Sequence, residues 1–90
     1  MSTYDILVEV GLRPGIADPE GSTVERALPA LGFTSVHAVR MGKAIRFAVE
    51  AEDEDEARRT AEELCRRLLT NPVIEDARVE VTGRREVVAE

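Results

Sequence analysis

Several residue types are scarce in this chain of 90 amino acids, and each scarcity excludes a kind of site. Cys65 is the one cysteine, so no disulfide forms within the chain. His37 is the one histidine, so the nitrogen and sulfur ligands of a zinc site are missing as well. Only carboxylates remain as ligands for a hard cation. The aromatic residues are Tyr4, Phe33 and Phe47, so we expect an aliphatic core and no metal site.

Positive charge is also in short supply. The chain has 12 Lys and Arg against 18 Asp and Glu, which gives a formal net charge of -6. A nucleic-acid binder needs a basic face that displaces counterions, so this class of protein is excluded. No run approaches the ~20 apolar residues that span a bilayer, and no charged-then-apolar leader opens the chain. We expect a soluble, cytoplasmic protein with no nucleic-acid or membrane partner.

The length of the chain limits its stability. A chain of 90 residues forms one domain. A domain of this size buries only a little over ~60% of the surface that its unfolded chain exposes. Since no disulfide adds to this, we expect association with further copies of the chain or with another protein.

The first third of the chain predicts a strand followed by a helix. Residues 4–12 alternate between apolar and polar side chains, which is the period of a half-buried strand. Asp18 and Pro19 are typical of a helix start, and Gly32 of a helix end in the left-handed conformation. Pro29 predicts a kink or a loosened last turn, because proline has no amide hydrogen to donate.

The middle of the chain allows two interpretations. Two β-rich runs, residues 36–41 and 44–51, are separated by Gly42 and Lys43. This pair suits a two-residue hairpin turn between two antiparallel strands, which is the preferred interpretation. The alternative is one long strand bent by a bulge at Gly42.

The clearest helix is predicted over residues 53–70, with acidic residues in its first turn as the helix dipole prefers. A last alternating strand follows at residues 77–81. One face of the helix carries an apolar stripe: Ala57, Ala61, Leu64, Cys65, Leu68 and Leu69.

The order β-α-β-β-α-β predicts an α+β fold, a two-layer ferredoxin-like sandwich with two helices on one face of the sheet. The other sheet face stays uncovered, and it needs a partner if apolar residues line it. We expect a single domain over residues 1–82 and a polar C-terminal tail over residues 83–90.

No group of residues forms a recognisable catalytic pattern. Cys65 lies on the apolar stripe and is expected to be a structural thiol. His37 lacks the neighbours of a triad. The acidic run at residues 52–56 is explained by a solvated helix start, and Gly42 with Lys43 lacks the other residues of a phosphate loop. We therefore predict no catalytic, cofactor-binding or metal-binding residue.

Four short motifs nevertheless occur in a specific order. They are R-P-G at residues 13–15, D-P-x-G at residues 18–21, V-R-x-G-K at residues 39–43 and N-P-V-I-E-D at residues 71–76. Together, over residues 4–81, the chain resembles the PurS family, the small subunits of bacterial and archaeal phosphoribosylformylglycinamidine synthase.

This resemblance implies a non-catalytic subunit in purine biosynthesis. The enzyme makes formylglycinamidine ribonucleotide from formylglycinamide ribonucleotide, glutamine and ATP. A PurQ-like glutaminase subunit releases ammonia, and a PurL-like synthetase subunit uses ATP and magnesium. The resemblance implies that this chain binds neither cofactor. It also implies that a homodimer or homotetramer bridges the other two subunits and assists ammonia transfer.

Two other functions are compatible with the residues alone. A ferredoxin-like regulatory domain has the same element order and binds a small molecule at a dimer seam. A stand-alone enzyme is the third possibility, against which the single histidine and single cysteine count.

Arg40, Gly42 and Lys43 form the candidate partner interface. Lys43 is the only lysine of an acidic chain and is expected at an exposed tip, and Arg40 can bind a partner carboxylate through two hydrogen bonds. The alternative is that the glycine only makes the turn and both cations face water.

Overall fold

The computed structural model describes residues 1–86, which form a three-stranded antiparallel sheet and two helices. The elements are β1 (Ser2–Leu12), α1 (Pro19–Ala27), β2 (Gly42–Ala51), α2 (Glu54–Leu64) and β3 (Glu75–Glu86). The strand order is β2-β1-β3, so both β2 and β3 are edge strands. The predicted α+β, ferredoxin-like class is confirmed, with three strands in place of four.

The core lies between β1 and α2. Alternate residues of β1 point towards the helix, as the sequence pattern predicts, and the helix faces them with small side chains. The small side chains allow the helix to lie close to the sheet. The buried hydrophobic residues of this core are Tyr4, Ile6, Val8, Val10, Ala51, Ala57, Ala61 and Cys65.

The first helix begins and ends as its sequence predicts. The side chain of Asp18 accepts a hydrogen bond from the Gly21 amide at the helix start. Near the end, Pro29 interrupts the α-helix, and a single 3-10 turn, Pro29–Leu31, replaces its last turn. Gly32 then adopts φ +90°, and the Phe33 amide donates back to the carbonyl of Leu28. The predicted loosened turn is therefore confirmed.

The second helix ends in a π-helical turn, Cys65–Leu69. The Thr70 amide donates to the Cys65 carbonyl at 3.1 Å, five residues back. Because a π-turn holds more residues than an α-turn, it rotates the side chains that follow. Leu69 packs against the core, whereas Leu68 is 74% exposed. The predicted apolar stripe is wrong at Leu68 for this reason.

Residues 36–41 do not form a strand, so both predicted forms of the middle segment are wrong. The amides of Val39 and Met41 donate to side-chain carboxylates, which replace the hydrogen bonds of a neighbouring strand. Ala38 has φ +59°, which an extended strand does not accommodate. Gly42 is the first residue of β2 and lies opposite Gly11, not in a hairpin turn.

The predicted tail begins too early. Residues 83–86 continue β3, and Glu86 pairs with Ser2 at the far end of β1. The strand extends this far because the ladder to β1 remains available, even though the side chains are polar. The other predicted tail residues, 87–90, lie outside the described residues.

The two helices differ in their placement. α2 packs across all three strands, as predicted for both helices. Within residues 1–86, α1 contacts the adjoining 3-10 turn but does not pack across the sheet. The sheet face opposite α2 is polar, because its side chains form cross-strand ion pairs between Arg78 and Glu9 and between Arg85 and Asp5. That face therefore gives no apolar reason for a partner.

Candidate partner interface

The four motifs of the sequence meet at one end of the sheet, which we name the motif end (residues 12–21, 39–43 and 71–76). β1 ends here at Leu12, β2 begins at Gly42 and β3 begins at Glu75. The motif end is therefore the place where the connections on both sides of β1 come together. Its backbone is held by side chains of the motifs themselves, in three sets of contacts.

Asp18 makes the first set. Its Oδ1 accepts from the Gly21 amide at 2.9 Å, and its Oδ2 accepts from the Met41 amide at 2.8 Å. One carboxylate thus caps α1 and holds the chain that enters β2. These two amides, with a smaller contribution from Arg40, hold the pKa of Asp18 below its ordinary value although burial opposes the shift.

Two further contacts fix the same segment against α1. Glu25 accepts from the Val39 amide at 2.8 Å. The backbone oxygen of Val39 lies so close to Gly21 that an added Cβ there would approach it to 2.5 Å. The glycine of the D-P-x-G motif therefore allows the two segments to touch.

Arg40 makes the second set. Its guanidinium donates to the carbonyls of Ile16, Leu12 and Arg13 at 3.2–3.5 Å, and its Nε lies 3.9 Å from Asp18 Oδ2. The side chain is 46% exposed. Arg40 is thus bound to its own chain, and its outer edge remains accessible.

Arg13 makes the third set. Its amide donates to the Ile74 carbonyl, and its guanidinium donates to the Pro72 carbonyl and pairs with Asp76 at 3.4 Å. The side chain of Asn71 closes the same turn by accepting from the Val73 amide. The R-P-G and N-P-V-I-E-D motifs are therefore joined to each other by the hydrogen bonds and the ion pair of Arg13.

Gly42 and Lys43 differ in their surroundings. A Cβ on Gly42 would lie 2.6 Å from the Val10 carbonyl oxygen, so the residue allows a close approach between neighbouring strands. Lys43 is exposed, and among residues 1–86 its side chain has no hydrogen bond or ion pair within the chain. Of the three predicted interface residues, Lys43 is the one whose charge has no partner within residues 1–86.

The surface around Lys43 is concave but open. A cleft of about 350 Å³ runs between the start of α1 and the sheet end, and its lining includes Asp18, Glu20, Lys43 and Glu75. Val73, 79% exposed, lies on the N-P-V-I-E-D turn at the same end. The motif end thus presents one free cation, several carboxylates and an apolar side chain.

The remaining chemistry-bearing residues lie elsewhere. Cys65 is buried beneath α2, and burial raises the pKa of its thiol. His37 is exposed, outside the regular elements. In the part of the chain that the structure describes, no three His, Cys, Asp or Glu side chains are grouped as metal ligands, and no helix is long and apolar enough to cross a membrane.

Sequence reasoning missed the roles of Arg13, Glu25 and Asn71. The R-P-G and N-P-V-I-E-D motifs were a usable signal for two of them, because an arginine and a turn-forming asparagine in specific motifs suggest fixed backbone contacts. Glu25 gave no signal, since its partner amide at Val39 lies in a segment expected to be a strand.

Comparison with known proteins identifies the family. The family model for PurS, phosphoribosylformylglycinamidine (FGAM) synthase, matches residues 5–83. The PurS subunit of phosphoribosylformylglycinamidine synthase from Methanocaldococcus jannaschii is 41% identical over 78 residues, 87% of this chain and 94% of that protein. The PurS subunit from Bacillus subtilis is 40% identical over 87 residues, 97% and 99% of the two chains.

A solved structure agrees with these relatives. A chain in the structure of PurLQS from Thermotoga maritima superposes with a TM-score of 0.84 at 34% identity, and the match covers 91% of this chain and all of the other. Because the family model and the relatives match nearly the full length, the chain belongs to the PurS family, the PurS subunits of phosphoribosylformylglycinamidine synthase in purine biosynthesis.

Proposed function

We propose that this chain is a non-catalytic subunit that bridges a PurL-like synthetase subunit and a PurQ-like glutaminase subunit and assists the passage of ammonia between them. The observation that carries the proposal is the motif end. Its motifs hold a backbone surface in one shape, yet none of its residues forms a catalytic pattern. The relative from Thermotoga maritima, which occurs in a PurLQS structure, supports assembly with such subunits.

The motif end is the proposed contact surface for these subunits. Lys43 and the outer edge of Arg40 supply positive charge, and Val73 supplies an apolar side chain. A rigid surface loses little conformational entropy when it binds, so a few such side chains suffice for a specific contact. ATP and magnesium are bound by the synthetase subunit in this proposal, and this chain binds neither.

Self-association is part of the same proposal. The chain is expected to form a homodimer or homotetramer, as the resemblance implies. The assembled enzyme is expected to work in the cytoplasm.

The test compares two nitrogen sources. The matching synthetase and glutaminase subunits are assayed with and without this chain, first with glutamine and then with ammonium salt. The chain is expected to raise glutamine-dependent synthesis severalfold and to change ammonia-dependent synthesis much less. The chain alone is expected to cleave neither glutamine nor ATP.

Two outcomes contradict the proposal. Equal stimulation with both nitrogen sources means that the chain acts on the synthetase reaction itself and not on ammonia transfer. Activity of the isolated chain with either substrate means that it carries a site of its own. Lys43→Ala serves as the matched variant and is expected to stimulate glutamine-dependent synthesis less than the wild type, because Lys43 lies in the proposed contact surface and its exposed side chain makes no hydrogen bond or ion pair within residues 1–86.

A further inference from the structure

The turn at residues 71–76, which leads from the π-turn into β3, is held by hydrogen bonds within itself. Asn71 makes four of them, at 2.7–3.2 Å. Its carbonyl accepts from the amides of Ile74 and Glu75, and its side chain accepts from the Val73 amide. Its own amide donates to the Glu75 carboxylate. The turn therefore has a defined shape before any partner binds.

Arg13 holds the same turn from a distant part of the chain. Its amide donates to the Ile74 carbonyl at 2.8 Å, and its guanidinium donates to the carbonyls of Pro72 and Glu75, 59 and 62 residues away in sequence. Its Nε also pairs with Asp76 at 3.4 Å. The side chain thus fastens the turn to the loop that follows β1.

Val73 is the member of this turn whose side chain has no role within it. The polar side chains of Asn71, Glu75 and Asp76 all have partners in the chain, and Ile74 is half-buried. Val73 is 79% exposed, more than any other large apolar side chain among residues 1–86. Turns favour Gly, Asn, Asp or Ser at such positions, so the geometry of the turn does not account for a valine.

The surroundings of Val73 resemble the centre of a small interface. Pro72 is exposed next to it and keeps a fixed φ. Arg13 and Asp76, whose side chains are 48% and 65% exposed, supply charged groups at the edge of the turn. An apolar centre with a polar rim is the usual arrangement at a protein contact. The complementary surface is an apolar pocket with a polar rim.

A second copy of the motif end does not offer such a pocket. In residues 1–86 it has clefts of about 350 and 340 Å³, and charged side chains line both. Lys43 and Glu75 lie in the first cleft, and Arg66 and Glu75 lie in the second. An apolar side chain gains little from entering either cleft.

We propose that the turn at residues 71–76 is a recognition turn whose Val73 enters an apolar, polar-rimmed pocket on a partner subunit, and that Arg13 is a positioning residue which keeps the turn in its binding shape. A turn that is already ordered loses little conformational entropy when it binds. The inference rests on the bridging function proposed above and names the side chain that makes the contact.

The first experiment titrates the chain into the matching synthetase and glutaminase subunits and measures glutamine-dependent synthesis. Val73→Asp is expected to raise the concentration of chain that gives half-maximal stimulation by about tenfold or more, because a carboxylate does not enter an apolar pocket. Leu68→Asp is the matched control, since Leu68 is 74% exposed but lies outside the motif end. Its half-maximal concentration is expected to equal that of the wild type.

Separate pull-downs with each subunit identify the partner. Val73→Asp is expected to lose at least one of the two subunits, whereas Leu68→Asp retains both. Retention of both subunits by Val73→Asp overturns the recognition turn.

The second experiment asks whether Arg13 acts through Val73. Arg13→Ala is expected to raise the half-maximal concentration about threefold to tenfold and to leave the maximal stimulation unchanged. In a chain that already carries Val73→Asp, the same substitution is expected to add less than about twofold, because the shape of the turn no longer matters. An equal effect of Arg13→Ala in both backgrounds contradicts the positioning role.

Asp76→Ala replaces Arg13→Ala if circular dichroism shows that the latter does not fold. It removes the ion pair and leaves the hydrogen bonds of Arg13 to the backbone in place. A smaller increase in the half-maximal concentration is expected, which again disappears in the Val73→Asp background. An increase that persists in that background contradicts the positioning role.

The mass of the chain tests the alternative occupant. Light scattering is expected to give Val73→Asp the same mass as the wild type. A lower mass assigns Val73 to a contact between copies and overturns its contact with a partner subunit.

The outcomes also separate this inference from the proposed function. A wild-type chain that raises glutamine-dependent synthesis, together with a Val73→Asp chain that does so at the same concentration, overturns the recognition turn and leaves the bridging function intact. A wild-type chain that captures a subunit through Val73 but does not raise glutamine-dependent synthesis contradicts the bridging function and supports the recognition turn.

Discussion

Asp18 connects two parts of the chain that lie 23 residues apart in sequence. One oxygen caps α1 through the Gly21 amide, and the other holds the Met41 amide next to β2. A carboxylate that accepts two backbone hydrogen bonds is bound more strongly than a neutral acceptor. Its contribution to the stability of the fold is therefore expected to depend on its ionisation.

The pH dependence follows from the direction of its pKa. The folded protein lowers the pKa of Asp18, so the ionised carboxylate stabilises the fold above its unfolded value of about 3.9, and this contribution is lost as pH falls through the lower, folded value. Asp18→Asn is expected to lower Tm at pH 7, and the difference from wild type is expected to narrow towards pH 3. Thermal unfolding followed by circular dichroism measures both.

Asp55→Asn is the control for this prediction. Asp55 is exposed in the first turn of α2, and its side chain accepts no hydrogen bond among the described residues. Its substitution is expected to change Tm little at either pH. A difference between wild type and Asp18→Asn that widens in acid contradicts the role assigned to the carboxylate.

Substitutions of Arg40 and Lys43 are expected to act differently. The first changes the stability of the fold, and the second changes the binding of the partner subunits. Arg40→Ala removes hydrogen bonds to three carbonyls and is expected to cost about 1 kcal/mol of unfolding free energy, below the usual value for a charged donor because the site is partly exposed. Lys43→Ala is expected to leave Tm unchanged and to weaken pull-down of the synthetase and glutaminase subunits. Arg59→Ala, exposed on α2, is the control for loss of a positive charge. Unchanged pull-down with Lys43→Ala removes it from the proposed interface.

Among the elements, the start of β2 depends on a close approach between two strands. Gly11 and Gly42 lie opposite each other in the ladder, but only Gly42 faces an atom that a Cβ would strike, the Val10 carbonyl oxygen at 2.6 Å. The effects of substituting these two glycines can therefore be compared directly, because only one of them has a backbone atom close to its added Cβ.

Gly42→Ala is expected to lower the unfolding free energy by about 1–3 kcal/mol, because the neighbouring backbone must move. Gly11→Ala is expected to change it by less than about 0.5 kcal/mol, since no atom lies within 4 Å of its added Cβ. Urea unfolding of the two variants measures the difference. Equal changes in unfolding free energy for the two variants contradict this prediction. They mean that the backbone flexibility of the glycines, and not the close approach at Gly42, affects the stability of the motif end.

The π-turn shows how one element changes the surface of the molecule. Leu69 packs against the core and is partly buried, whereas Leu68 is exposed, the reverse of what a continuous α-helix gives at Leu68. It also brings Thr70 into position to bind the Cys65 carbonyl through both its amide and its hydroxyl. The turn that follows can then reach Arg13.

The whole molecule is extended for its length. Its radius of gyration is 17.5 Å, whereas a compact chain of 90 residues has one of about 12 Å. The described chain measures 58 Å by 29 Å by 16 Å, so it is long and thin. A chain of this shape buries less surface than a compact one, so its stability is expected to depend on association.

The thermal stability is therefore expected to depend on concentration. Binding that occurs only in the folded state raises Tm by mass action, so Tm of the wild type is expected to rise as protein concentration increases. Calorimetry at several concentrations provides the measurement, and a wild-type Tm independent of concentration contradicts the need for a second copy.

The features that depend on neighbours in sequence were determined by the sequence itself. The alternation of β1, the Asp18 cap, the turn loosened at Pro29 and the left-handed Gly32 are all confirmed, because each involves hydrogen bonds or steric contacts within a few residues. The four motifs were also recognisable in the sequence, and they led to the family.

The hydrogen bonds between residues far apart in sequence were decided only by the tertiary structure. Residues 36–41 have strand-like side chains, but Asp18 and Glu25 take the amides that a strand neighbour needs. Arg40 was expected to face water or a partner, and carbonyls from the loop after β1 bind it within the chain. These contacts join residues 14–28 positions apart, so no local pattern encodes them.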